Sequence, residues 1–294
     1  MLNGTIMKGI GGFYYVKCDD NVIYACRARG KFRKDGLVPV VGDKVRIDVT
    51  DTAKKEGYVT EIYPRTNSFF RPPVSNIDTL LITFAAKDPE PAPELIDKLT
   101  VTAVAQNVSC AICINKSELD RKKAEAMAEE YRLAGFPVLI CSAKKQEGIE
   151  ELKELLHNKI TALAGSSGVG KSSLLNAMGE NFRLETGSVS DKIKRGKHTT
   201  RHTELFPLSF GGFVFDTPGF GSFELEKRKA QDLAHLFPEI EANEGGCRFP
   251  GCSHISEPDC SVKTALENGK IGKNRYKSYC TLYQALKDIK DWQI

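Results

Sequence analysis

The 294-residue sequence holds a single tryptophan, four methionines and no decisive excess of either charge, with 42 Lys and Arg against 38 Asp and Glu for a net charge of +4. It also lacks repeats of fixed period, low-complexity tracts and long hydrophobic runs. Apolar stretches such as 80–82 and 84–86 fall far short of the ~20 residues that cross a bilayer, so a transmembrane helix is excluded and no membrane partner is expected. Residues 1–13 are interrupted by glycines and carry no continuous apolar segment ahead of a small-residue cleavage site. A secretory signal is therefore not expected, and the chain is expected in the cytoplasm. The weak basic balance permits nucleic acid as a partner without demanding it. Nine cysteines are an odd number, and in that compartment they read as metal ligands or core residues rather than disulfides.

What remains is ordinary globular composition, 41% hydrophobic and 27% charged, organised in three regions. Segments 13–18, 21–27, 43–49 and 58–62 read as short strands broken by turn chemistry at 19–21 and 41–43, the pattern of a small β-barrel. From residue 78 the period changes. Strand-like runs at 79–85 and 110–114 alternate with helix-like stretches at 93–106 and 121–134, which argues for a parallel sheet with covering helices. After residue 223 the strands disappear, and helical patterns near 230–237 and 275–292 flank a loop rich in Gly, Cys and Pro. Residues 64–73 suit a linker between the first two regions.

The sharpest motif is Gly165-Ser166-Ser167-Gly168-Val169-Gly170-Lys171-Ser172, with Ser173 following, between the apolar run 160–164 and a helix through Leu174 and Leu175. In such a turn consecutive N–H groups face phosphates, Lys171 neutralises β and γ oxygens, and Ser172 offers a hydroxyl to Mg²⁺. Asp216-Thr217-Pro218-Gly219 ends the apolar run 213–215, where a carboxylate can hold Mg²⁺ and the Gly219 amide can meet a γ-phosphate. Between them the basic segment 187–202 carries Thr199 and Thr200, one of which can complete the Mg²⁺ shell when a γ-phosphate is bound.

Base recognition falls upstream, at Asn115-Lys116-Ser117-Glu118. An amide at 115 can bond the guanine Hoogsteen edge, the stem of Lys116 can cover the base, and Glu118 can accept from N1–H and the 2-amino group that adenine lacks. Backbone amides at Ser142 and Ala143, after the run 137–140, can bind the guanine O6. A third signal is Cys247-x4-Cys252-x-His254-x5-Cys260. Three thiolates and one imidazole at that spacing suit a closed tetrahedral Zn²⁺ site, one structural ion per chain. For nucleic acid the best local feature is 27–34, five cations and Phe32 in eight residues, with Lys270, Lys273, Arg275 and Lys277 as a second basic cluster.

The guanine motifs precede the phosphate loop, so the order resembles a circularly permuted GTPase. With the barrel before it and the Cys-Cys-His-Cys cluster after it, the whole chain resembles the RsgA/YjeQ family of small-ribosomal-subunit biogenesis GTPases. That resemblance implies a multidomain α and β fold: an OB-type, RNA-binding β-barrel over 1–65, a circularly permuted P-loop GTPase α/β domain over 66–222 and a small helical zinc-binding domain over 223–294. It implies GTP/GDP, Mg²⁺ and Zn²⁺ as ligands, and a monomeric assembly factor that binds the small ribosomal subunit and its rRNA late in maturation. Hydrolysis would be stimulated by the subunit and coupled to release. Two positions depart from the common GTPase pattern. Glu118 replaces an Asp, and Phe220 stands where a water-orienting Gln is usual, which leaves His198 as the family-like catalytic residue. Two other classes fit parts of the pattern: an RNA-binding protein using GTP/GDP as a conformational lock with negligible turnover, and a P-loop kinase or ATPase.

Overall fold

The computed structural model describes residues 1–30, 32, 36–69, 72–180, 203–216 and 229–288. The chain begins with β1 (Leu2–Ile10), β2 (Phe13–Cys18), β3 (Ile23–Ala28), β4 (Lys44–Asp51) and β5 (Glu56–Ile62). These pair in the order β1-β2-β3-β5-β4, and β4 returns to β1, so the ladder closes into a barrel. Closure removes the open edges that an isolated sheet would present. Ile6, Val16, Cys26, Val45, Ile47 and Val59 fill the interior with no exposed surface. β1 is absent from the strand pattern of the sequence because its glycines dilute the alternation. Gly4 is there for space: a Cβ would lie 2.5 Å from the Lys17 carbonyl oxygen on β2. Phe32, expected on the outside of the basic loop, packs into this same core and is not available to stack on a base.

A short hairpin, β6 (Ser68–Phe69) with β7 (Val74–Ser75), follows the barrel. It is pinned through Asp43, whose fully buried carboxylate accepts from Arg65 Nε at 2.7 Å and Nη2 at 2.8 Å, Ser75 Oγ at 2.6 Å and the Val40 N–H at 2.8 Å. A buried carboxylate is tolerated when its lone pairs are filled in this way. Next to it Gly42 has φ +94°, and a Cβ there would sit 2.1 Å from the Ser75 carbonyl oxygen.

The central region runs β8 (Thr79–Ala85), α1 (Pro93–Ala105), β9 (Ser109–Asn115), α2 (Arg121–Leu133), β10 (Val138–Ile140), α3 (Ile149–Leu156), β11 (Ile160–Ala164), α4 (Lys171–Ala177), β12 (Glu204–Pro207) and β13 (Phe213–Asp216). Its strand order is β10-β9-β8-β11-β13-β12, parallel except for β12, which also touches β1 through Lys8 and Glu204. Every residue of β8 is buried, because helices cover both faces: Leu80, Ile82 and Phe84 meet Ile96 and Leu99 of α1, while Leu81 joins Leu152, Leu156 and Leu174 on the other side. That is why these strands read as continuous apolar runs. Cys110 and Cys113 are core residues of β9. Strand order reverses between the parallel neighbours β8 and β11, with β9 and β10 added on one side and β13 on the other, so the crevice at their carboxyl ends is the switch point where open α/β sheets bind ligands.

The carboxyl-terminal region has a 3-10 turn (Ala230–Leu236), α5 (Pro238–Glu241), a second 3-10 turn (Glu244–Gly246), α6 (Ser261–Glu267) and α7 (Lys273–Lys287). Leu233, Phe237, Ile240, Val262 and Tyr279 form its core, and Val101 of α1 belongs to the same cluster. Arg275, expected in a surface basic cluster, is instead 1% exposed and bonds Glu239 and, across the junction, Asp97 and Thr100 of α1. The exposed part of that cluster is Lys270, Lys273 and Lys277. The pattern at 230–237 is a 3-10 turn rather than an α-helix.

Gly42→Ala combines a clash with main chain and a disfavoured backbone region. It is expected to lower the unfolding free energy by more than about 2 kcal/mol, read as a shifted urea midpoint.

Candidate nucleotide site and metal centre

The turn leaving β11 is shaped by close approach. Gly165 has φ +134°, and a Cβ would fall 2.0 Å from the Thr83 carbonyl oxygen on β8. Gly170 has φ +93°, with a Cβ position 2.3 Å from Asn115 Nδ2. Val169 anchors the loop from within the core, while Ser166, Ser167 and Gly168 are exposed. Lys171 opens α4 and folds its amine back onto the loop, donating to the carbonyls of Gly165 and Ser166, both at 2.7 Å. Burial lowers its pKa. Ser172 and Ser173 follow in the first turn of α4, where main-chain N–H groups have no helical partners.

Asn115 ends β9 and joins three segments. Its Nδ2 donates to the Val169 carbonyl at 2.9 Å, and its Oδ1 accepts from the Ala143 N–H at 3.2 Å. The phosphate-type loop and the 142–143 loop are thereby held in register by one amide. Lys116, at φ +57°, donates from Nζ to the Asp88 carbonyl. The Ser142 and Glu147 main chains bond each other at 3.0 and 3.1 Å, fixing the loop that carries Ala143. Oε2 of Glu118 is buried with no hydrogen-bond partner among the described residues. Desolvation raises the pKa of Glu118, but the Ser142 hydroxyl, its own N–H and the charges of Lys144 and Lys145 outweigh that and hold it below the usual value. An ionised carboxylate with a free buried oxygen is an acceptor waiting for N–H donors.

Asp216 ends β13 beside β11, at the same end of the sheet. His198, Thr199, Thr200 and Gly219 lie outside the described residues. Two features here carry no sequence motif: the Asp88 carbonyl that meets Lys116, and a small cavity between loop and α1 walled by Pro89, Ala92, Leu95, Gly165, Ser166 and Val169.

Cys247, Cys252, His254 and Cys260 come together with their ligand atoms all within 4.8 Å of one another. Nδ1 of His254 faces the sulfurs of Cys247 and Cys260, each at 3.5 Å. Its Nε2 lies 3.6 Å from a Glu244 carboxylate oxygen, the outer partner that orients a ligating imidazole. Tyr276 and Tyr279 of α7 clamp the loop by donating to the carbonyls of His254 at 2.6 Å and Ser253 at 2.9 Å. Burial tends to raise the pKa of Cys247, but hydrogen bonds from the Ser261 hydroxyl and main chain lower it overall. The donor set fits Zn²⁺, with four ligands and no open position. Glu244 and Ser261 have no sequence signature, because they touch the side chains of His254 and Cys247 without belonging to the Cys-His spacing pattern.

A glycine-shaped phosphate loop at the switch point, with an Asn-Lys-x-acid segment and a Ser-Ala loop at the same sheet end, defines a P-loop GTPase whose motifs run in permuted order. Family models agree with this: residues 62–226 match the RsgA GTPase model and 3–59 the RsgA N-terminal domain. Proteins named small ribosomal subunit biogenesis GTPase RsgA are similar over nearly the whole chain. The one from Ruminiclostridium cellulolyticum is 47% identical over 99% of this chain and 95% of its own, and that from Caldanaerobacter subterraneus 45% over 98% and 96%. The crystal structure of YjeQ from Thermotoga maritima superposes with a TM-score of 0.85 at 34% identity, covering 98% of this chain and 99% of that one. YloQ, described as a circularly permuted GTPase, gives 0.82 at 37%, covering 99% and 96%. The chain belongs to the RsgA GTPase family.

Replacing Asn115 by Ala orphans the Val169 carbonyl and the Ala143 N–H together. Nucleotide-free protein is expected to lose about 1–3 kcal/mol, measured by denaturant unfolding.

Proposed function

We propose that the chain is a GTP-hydrolysing assembly factor that binds the small ribosomal subunit and its rRNA late in maturation and leaves on hydrolysis. The observation that carries this is the free buried oxygen of Glu118 beside the Ser142-Ala143 loop, tied through Asn115 to the phosphate loop. Relatives of 45–47% identity bear the corresponding name. Guanine would bring N1–H and the 2-amino group to Glu118, its Hoogsteen edge to Asn115 and O6 to the amides of Ser142 and Ala143, with the stem of Lys116 over the ring. The main chain of 165–170 and Lys171 would hold the phosphates. Ser172, one of Thr199 and Thr200, and Asp216 would hold Mg²⁺, which supplies charge neutralisation when bound. Gly219 would meet the γ-phosphate, and His198 would orient the attacking water in place of Phe220.

The division into 1–65, 66–222 and 223–294 assigns RNA binding, GTP hydrolysis and one structural Zn²⁺ on Cys247, Cys252, His254 and Cys260 to separate regions of a cytoplasmic monomer. With Phe32 in the barrel core, the RNA contact moves to the outer face. There cross-strand register sets Phe13, Arg27 and Tyr58 in one row over β2, β3 and β5. The Arg27 guanidinium lies 4.6 Å from the Phe13 ring centroid, and Tyr58 is exposed. A cation between two aromatics suits unpaired bases and phosphates.

GTP and GDP are expected to compete for the site far better than ATP. Glu118→Ala should erode that preference more than it weakens phosphate binding, and ATP competing equally with GTP against the wild type would overturn the base assignment. Isolated protein should turn over slowly, on the order of 10⁻⁴ to 10⁻² s⁻¹. Small subunits should raise phosphate release by orders of magnitude, less so in added salt, and His198→Ala should lose most of that stimulation while still binding GTP. Negligible turnover with purified subunits would favour the conformational-lock reading, and full stimulation in His198→Ala would remove its catalytic role.

A further inference from the structure

Three ionisable side chains meet where the carboxyl-terminal helices dock on α1, and water reaches none of them: Asp97 is 0%, Glu239 4% and Arg275 1% exposed. Glu239 takes the guanidinium with both oxygens, Nε to Oε1 at 2.7 Å and Nη2 to Oε2 at 3.2 Å. Nη1 donates to Asp97 Oδ1 at 2.7 Å and to Thr100 Oγ1 at 2.9 Å. The rings of Phe237, Phe136 and Tyr131 stand 4.6, 5.4 and 5.7 Å from the guanidinium carbon. Two carboxylates and one guanidinium would leave a net negative charge in this aromatic box. The other groups facing it are Tyr131 from α2, Ser278 from α7 and the buried Cys110 thiol from β9, with Glu130 adding negative charge from α2. None of these brings a cation. The two carboxyls are also not equivalent. Both oxygens of Glu239 meet donors, whereas Asp97 Oδ2 is buried with no hydrogen-bond partner among the described residues.

We propose that Asp97 is the neutral member of this triad. Docking of the carboxyl-terminal helices on α1 takes up one proton from solvent onto the Asp97 carboxyl, leaving Glu239 and Arg275 as the only ion pair. An ionised carboxylate with one bare oxygen in a place closed to water is far costlier than a carboxylic acid there, and such groups neutralise instead. Desolvation raises the proton affinity of Asp97, with Arg275, Ser278 and Tyr131 opposing it only in part. When the interface is open, Asp97 faces water and ionises near its ordinary pKa of about 3.9. The sign follows from that difference. The contribution is complete below the ordinary value and is lost as pH rises through the raised one, so alkali loosens the junction. α1 also walls the cavity beside the phosphate loop, so the protonated latch grips the helix that borders the nucleotide site.

Neutral isosteres separate the two carboxyls, tested in the full-length, metal-containing protein. Asp97→Asn needs no proton, so it should match or exceed the wild-type urea midpoint at neutral pH and flatten the loss of stability as pH rises. Glu239→Gln strips a buried cation of its counter-charge and should lower the midpoint strongly. Equal responses of the two variants, or a larger loss in Asp97→Asn, overturn the proposal. Should Glu239→Gln fail to accumulate, the infrared spectrum of the wild type decides: a protonated-carboxyl stretch that vanishes in Asp97→Asn supports it, and absence of that band in the wild type refutes it.

Discussion

β11 runs between β8 and β13, parallel to both, and the Thr83 carbonyl of β8 occupies the space that a side chain at 165 would need. The phosphate loop therefore has to leave the sheet as glycine, hard against the neighbouring strand, and everything at that end of the molecule is arranged around this turn. Asn115 reaches it from β9 and hands its register to the loop after β10. Chain order is irrelevant to that geometry. What matters is that β8, β9, β10, β11 and β13 present their carboxyl ends on one side, and a parallel sheet does so whichever strand comes first. Permutation costs the site nothing and changes only where the chain goes afterwards, from the end of β13 toward the carboxyl-terminal helices.

Both junctions of the central region use a buried charge with several bonds. Asp43 gathers donors from the barrel and from the hairpin beyond it, and Arg275 gathers acceptors from α1 and α5. Buried pairs of this kind contribute little net stability compared with apolar packing, but removing one partner leaves the other uncompensated. Such junctions favour one relative placement over its neighbours. The row of Phe13, Arg27 and Tyr58 on the barrel and the Cys-His cluster at 247–260 are thereby held at defined positions with respect to the nucleotide site.

Much of this was legible in the sequence, and the exceptions have physical causes. Strands β8, β9 and β11 announced themselves because burial on both faces demands unbroken apolar runs, and the glycine turn, the Asn-Lys segment and the Cys-His cluster because their chemistry tolerates few substitutes. β1 stayed hidden because Gly4 answers to the approach of β2 rather than to strand propensity, and β12 because four residues carry too little pattern. Phe32 and Arg275 each sit among charges in the sequence, so composition placed them outside. Tertiary contacts bring one into the barrel core and the other onto two carboxyls, and no local window contains those partners. Glu118 was visible as a departure from Asp, but its bare Oε2 emerges only once Ser142 and the lysines beside it are in place.

The account turns on nucleotide-controlled attachment to the small ribosomal subunit, and co-sedimentation tests it most directly. Purified subunits pelleted with the protein in a non-hydrolysable GTP analogue, or in GDP, should carry it down in the first case and leave it largely in the supernatant in the second. Equal recovery in both, or none in either, would contradict the coupling of GTP hydrolysis to release.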